Sequence, residues 1–281
     1  MNSVFHIAAK ALNFVRLVSI DIVLGAISGS YFASVITNTQ LSVYYYFTLA
    51  SAVWIIYIVD HILDGVRTLT RPNYGIYQFH FKHRILLLSV GTVLALISGY
   101  IVLFYLEKRL IIFGIFTFIL VVLYLILNFI FRKWRSFFPK ELIISVLYTW
   151  GIFGGVLILN NEIKLFQILI IVNYVLLVFA NVLLFSFFDS EKSRNDLKII
   201  ASEVGKENTR KLIVIILSIA FIFSLVAGLA FSKWSEALIL ILMNISFLVI
   251  ILFPSVFRSN KNFGLIADSV FIYPLLIYLF C

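Results

Sequence analysis

Apolar residues run through this chain in nine long blocks, at about 17–36, 41–59, 84–106, 110–131, 141–159, 165–188, 211–231, 236–256 and 263–280, separated by shorter polar or charged joints. Each block approaches the ~20 residues that a helix needs to cross the hydrocarbon core of a bilayer. A strand buried in a soluble core is much shorter, and a soluble amphipathic helix carries a polar stripe along its length. The pattern therefore predicts an all-α fold, a polytopic transmembrane bundle of about nine helices, forming a single membrane domain over 1–281.

Composition sharpens the reading. The chain is 63% hydrophobic and 12% charged with a mean hydropathy of +1.10, whereas soluble domains average roughly 45–50% apolar and about 25% charged. Residues 1–16 intersperse Val4, Ala8, Leu12 and Val15 with Lys10 and Arg16. That suits an interfacial helix lying on the membrane ahead of a bundle over 17–280. A cleaved signal peptide is the competing reading, but the apolar stretch after Arg16 exceeds the usual ~7–15 residues and carries Asp21. A single cysteine, Cys281, excludes an internal disulfide.

A net charge of +9 could suggest nucleic acid in a soluble protein, yet here its distribution speaks of topology. Eighteen of the 22 Lys and Arg residues fall before the first block or after the second, fourth, sixth and eighth. The alternate joints hold only Lys108, Arg109, Lys164 and Lys233. The positive-inside rule then predicts a multi-pass cell-membrane protein with a cytoplasmic N-terminus and Cys281 on the far side, partnered by lipid and by no nucleic acid.

The two long cytoplasmic loops, 60–84 and 189–211, each open on acids at the end of an apolar block. In WIIYIVDHILDGVR, Trp54 to Arg67, Asp60 and Asp64 stand one helical turn apart and point the same way if the helix continues. In FFDSEKSRNDLK, Phe187 to Lys198, Asp189, Glu191 and Asp196 are interleaved with Lys192, Arg194 and Lys198. Neighbouring acids beside hydrocarbon are costly and suggest a function. Hard carboxylate oxygens suit Mg²⁺, while Lys and Arg suit phosphate oxygens. Candidate metal ligands are thus Asp60, Asp64, Asp189, Glu191 and Asp196, and candidate phosphate binders include Arg67, Lys192 and Arg194. The plainer alternative is a helix end whose acids pair with Arg67 and Arg84.

Other polar residues read as structural. Asp21 and Asp268 are expected as buried partners of Arg16 or of a basic loop residue. His80 and His83 read as an interfacial pair rather than a zinc site, since no further Cys or His lies nearby. Gly151, Gly154 and Gly155 are expected to allow close helix packing. There is no phosphate-binding glycine loop and no Ser-His-Asp pattern.

On its acidic motifs the chain resembles the UbiA superfamily of intramembrane prenyltransferases over nearly its whole length. That family has nine transmembrane helices with aspartate-rich motifs after the second and sixth. Asp60 and Asp64 match the two aspartates of N-x-x-x-D-x-x-x-D, with Ile56 at the asparagine position. The stretch from Asp189 is similar to D-x-E-x-D-R, with Ser193 at the second aspartate. Glu203 to Leu212 looks like the tail of the family's loop after the sixth helix, and the basic segment Phe131 to Glu141, with Lys133 and Lys140, sits where the family has a lysine-bearing loop. The resemblance implies Mg²⁺-dependent transfer of an isoprenyl group from a prenyl diphosphate to a lipophilic, aromatic or lipid-like acceptor. It implies catalytic roles for Asp60, Asp64 and Asp189 and substrate contacts from Arg67, Lys133, Lys140, Lys192, Arg194 and Tyr57. Trp54, Phe185, Phe187 and Phe188 are further candidates for stabilising an allylic cation. A terpene cyclase on the same scaffold is a close variant; the rival from another class is a transporter that uses its acids for ion coupling.

Overall fold

The computed structural model describes residues 14–68, 75–130, 140–160, 162–189, 201, 204–258 and 263–280. Among them no strand occurs, and nine helices are long and apolar enough to cross a membrane. The protein is a multi-pass, all-α membrane bundle. In chain order the helices are α1 (Ile20–Thr37), α2 (Val43–Thr68), α3 (Gly75–Lys82), α4 (Arg84–Tyr105), α5 (Lys108–Ile130), α6 (Lys140–Leu159), α7 (Leu165–Asp189), α8 (Lys206–Phe231), α9 (Trp234–Leu252), α10 (Pro254–Arg258) and α11 (Phe263–Ser269). The last continues without a break as a 3₁₀ helix over Val270–Phe280. All but the short α3 and α10 belong to spans.

The chain enters α1 through a break. Ser19 is left-handed at φ 58°, a conformation that non-glycine residues seldom adopt. Helix α2 holds the break from the side: Trp54 Nε1 donates to the Val18 carbonyl at 2.8 Å, and Ser19 Oγ lies 3.4 Å from His61 Nδ1. Helix α1 stops where Asn38 turns left-handed and its N–H reaches the Val35 carbonyl, a common helix stop.

The densest core joins α1, α6, α7, α8, α9 and the final helix, with Tyr174, Leu177, Leu183 and Leu184 of α7 fully enclosed. Amide side chains tie these helices together where water is absent. Asn173 Nδ2 donates to Ser224 Oγ at 2.8 Å, Asn244 Nδ2 to the Leu217 carbonyl at 2.7 Å, and Gln167 Nε2 to the Ile36 carbonyl at 3.1 Å. Such bonds contribute about 0.6–2 kcal/mol each in a bilayer. Helices α4 and α5 hang on the outside, α4 against α2 and α5 against α6. Leu96, Leu103 and Phe118 on their outer faces are exposed, and in a bilayer they meet acyl chains.

Three local features differ from the sequence reading. First, α2 does not end before Asp60 but runs on to Thr68, and α3 occupies part of the expected 60–84 loop. Gly65 makes room for this, since a side-chain carbon there would meet the Tyr77 carbonyl oxygen at 2.7 Å and Phe81 Cβ at 3.0 Å. Second, of the three glycines in α6 only two admit neighbours: Gly154 lies under the Phe113 ring and Gly155 under Tyr45, while nothing approaches Gly151. Third, the ninth span is not α-helical throughout. Pro274 lies inside its 3₁₀ portion and offers no N–H to a ladder. Ser28, buried in α1, answers the disturbed backbone: its hydroxyl donates to the Ile272 carbonyl at 3.0 Å and accepts the Leu275 N–H at 3.1 Å. Polar backbone at membrane depth needs such a partner.

Candidate functional site

Five spans meet around one small polar cavity. Its walls are Ile22 of α1, Tyr57 of α2, Ile144 and Tyr148 of α6, Val178, Asn181 and Val182 of α7, and Asp268 and Phe271 of the last span. Asn181 Nδ2 donates to Asp268 Oδ1 at 3.0 Å. Asp21, on the first turn of α1, is within electrostatic range of Asp268, and both feel the Arg16 guanidinium. Tyr57 in turn lies within range of Asp268, Asp60 and Asp21. Arg16 itself lies across α11 on Gly264, one turn before Asp268, where any side chain would collide with the guanidinium.

Helical spacing connects this cavity to the predicted charged residues. On α2, Tyr57, Asp60 and Asp64 recur at three and four residues and share a face. On α7, Asn181, Phe185 and Asp189 recur at four, and on α6 so do Tyr148, Ile144 and Lys140. The wall residues lie in the first half of α1, α6 and the last span and in the second half of α2 and α7, so the cavity sits towards one end of the bundle. Asp189 stands eight residues beyond Asn181, about 12 Å along the helix. On their own helices Asp64, Asp189 and Lys140 stand about two turns beyond Tyr57, Asn181 and Tyr148, and Asp60 about one turn beyond Tyr57; all four are half-buried on the rim side of the cavity.

Of the other expected site residues, Arg67 belongs to α2, its side chain lying outside the described residues, as do Lys133, Glu191, Lys192, Arg194 and Asp196. Tyr57 lines the cavity, whereas the remaining aromatic candidates have structural partners. Trp54 is spent on the Val18 carbonyl. Phe185 and Phe188 stack on Phe263, with centroids 5.2 and 4.1 Å away, and Phe187 lies beneath Lys206, whose Nζ is 4.7 Å from the ring centre. Tyr148 and Asn181, both in the wall, escaped the sequence reading because an isolated Tyr or Asn in a long apolar run resembles an ordinary packing residue. Asp21 and Asp268 do lie within electrostatic range of Arg16, as expected, and Asp268 also lines the cavity, with Asp21 next to the wall residue Ile22.

Beside this site His80, fully buried on α3, faces His61 of α2 with ring centroids 4.7 Å apart. The interfacial pairing expected between His80 and His83 gives way to this one, while His83 stacks on Phe79 at 4.6 Å. His80 Nδ1 donates to the Ile76 carbonyl at 2.8 Å, leaving Nε2 buried without a partner. Burial pushes the His80 pKa below its ordinary value, with His83 adding to the effect and the Ile76 bond opposing it.

Among the described residues no three His, Cys, Asp or Glu side chains stand close enough to enclose a metal ion. Mg²⁺, however, commonly takes only one or two carboxylates and completes its shell with water and substrate phosphate. Asp60 and Asp64, one turn apart on the rim, have the donor chemistry for that mode. The cavity below measures about 30 Å³, enough for one or two waters and far less than the ~300 Å³ or more of a typical organic-ligand pocket. Comparison with family models, curated proteins and solved structures finds no match to this chain.

Proposed function

We propose that the chain is an intramembrane prenyltransferase of the UbiA kind, with a prenyl diphosphate held at the rim and an acceptor approaching from the lipid. The observation that carries this reading is the shared register of Asp60 and Asp64, Asp189, and Lys140 on three helices around one polar cavity. In this reading the rim faces the cytoplasm, since most basic residues belong to joints at that end. Mg²⁺ bound there would supply positive charge to the departing diphosphate. The chain's own residues do the rest. Asp60 and Asp64 would fix the diphosphate end through the ion, Asp189 would act on the same end from the facing helix, and Lys140 and Arg67 would take up oxygens that the ion leaves. Lys133, Lys192 and Arg194 would act on the same group, with Glu191 and Asp196 as further carboxylates. Tyr57, with Tyr148 and Phe271 behind it, offers ring faces to the electron-poor allylic carbon and keeps water away from it. The small cavity holds no prenyl chain, so the chain would lie between helices and leave towards lipid.

The test is incubation of membranes containing the protein with labelled prenyl diphosphates and a panel of lipophilic aromatic acceptors, followed by extraction of the product. Asp64→Asn and Asp189→Asn should each lower turnover by about 10²-fold or more, as expected when charge stabilisation of a leaving group is lost. Chelation should abolish turnover and Mg²⁺ restore it. Undiminished turnover in both variants would remove the proposed roles. Diphosphate release with no acceptor consumed would reassign the chemistry to cyclisation.

A further inference from the structure

In and beside the cavity floor stand buried oxygen acceptors that no donor fills. Asn181 and Asp268 line it, and Asp21 adjoins the wall residue Ile22. Asp21 is 3% exposed and its Oδ1 takes the Ile22 N–H at 3.1 Å, but Oδ2 is buried without a partner. Asn181 is 6% exposed and commits Nδ2 to Asp268, and its Oδ1, in the cavity wall, is likewise unpartnered. A buried amide oxygen without a hydrogen bond costs about 1–3 kcal/mol, and a buried carboxylate oxygen costs more. Charge is unbalanced in the same sense. Asp21 and Asp268 together bring two carboxylates, and among the described residues the basic group acting on both is Arg16.

We propose that this floor is a binding site for one dehydrated sodium ion, held by the carboxylates of Asp21 and Asp268 and by the amide oxygen of Asn181. An ion of single charge balances the pair of acids once Arg16 is counted. Oxygen-only donors from carboxylate and amide suit a hard cation. The space decides between cations: about 30 Å³ accommodates an ion stripped of its water, whereas Mg²⁺ gives up its shell reluctantly and usually keeps several waters. The phenol oxygens of Tyr57 and Tyr148 border the same space and can complete the shell. A side-chain carbon placed at Gly25, one turn after Asp21, would come within 3.3 Å of the Tyr148 hydroxyl, so that oxygen lies against the face of α1 that carries the acid. This site is distinct from the Mg²⁺ proposed at the rim and does not depend on any prenyl chemistry.

The experiment is thermal unfolding of the full chain in nanodiscs across a NaCl series, with N-methylglucamine chloride holding ionic strength constant. Ligand linkage predicts a midpoint that rises with the logarithm of Na⁺ once the site begins to fill. KCl should shift it less, and MgCl₂ should not substitute. Asp21→Asn and Asp268→Asn should flatten the response, while Glu162→Gln, an exposed loop acid, should keep it. Radioactive sodium binding to the unaltered protein gives a second readout, with about one ion per chain expected from a cavity of this size, and does not require the variants to fold. An equal response to Na⁺, K⁺ and N-methylglucamine, or a response that survives both Asn variants, would overturn the proposal. So would the absence of bound sodium, or a midpoint that follows pH alone, which would put a proton where the ion is drawn.

Discussion

His80 is a neutral side chain whose surroundings keep it so. Burial lowers its pKa below the ordinary 6.5, so the unfolded chain takes up a proton before the folded one does. The sign follows: His80 contributes no pH penalty above about 6.5, and stability falls as pH drops below that value, by up to about 1.4 kcal/mol per unit. Unfolding midpoints measured from neutral to mildly acid pH should therefore fall less steeply in His80→Gln than in the unaltered protein, and parallel curves would show that His80 charges freely. This contact was not legible in the sequence. The spacing of His80 and His83 suggests a pair within one helix, and only the folding of α3 back onto α2 at Gly65 brings His80 to His61. Asp60, Asp64 and Lys140 were legible, because charge at the end of an apolar block stands out. Asp21 and Asp268 were visible as anomalies without a destination, since nothing in the spacing shows that the first and last spans are neighbours.

At the scale of elements, nearly every span boundary follows from the apolar blocks, because membrane helices are long and their ends are marked by charge. The continuation of α2 to Thr68 was harder to see, as Asp60, Asp64 and Arg67 look like the start of a loop when polarity alone is read. The 3₁₀ stretch after Ser269 is likewise invisible to periodicity, and Pro274 alone does not dictate it. Its stability depends on a residue in another helix. Ser28→Ala removes a hydroxyl that bridges Leu275 N–H and Ile272 O at membrane depth. A loss of about 1–3 kcal/mol is expected, read as a lowered unfolding midpoint in lipid or detergent. Retention of full stability would mean that water or a backbone shift replaces the hydroxyl.

For the molecule as a whole, the arrangement is asymmetric: a packed core of α1, α6 to α9 and the last span, with α4 and α5 applied to one side. Helix α2 bridges these parts, packing on α1 and on α4, and it carries two of the rim acids. Nine crossings, the number of candidate spans among the described residues, would put the two termini on opposite sides. Because Cys281 is the only cysteine, the side on which it lies can be read without introducing another. A membrane-impermeant maleimide should label intact cells, and a tag at the N-terminus should be reached only after permeabilisation; the reverse pattern would invert the proposed topology.

The last span also has an unusual reach. A 3₁₀ helix climbs about 2.0 Å per residue against 1.5 Å for an α-helix, so the 11 residues from Val270 to Phe280 extend roughly 22 Å, some 5 Å further than the same residues would if coiled as α. Added to the 7 residues of α11, the segment attains about 32 Å, matching a hydrocarbon thickness of ~30 Å that a uniform α-helix of this length would miss. Recoiling this stretch as an α-helix would draw its outer end into the lipid, or pull Asp268 away from Asn181.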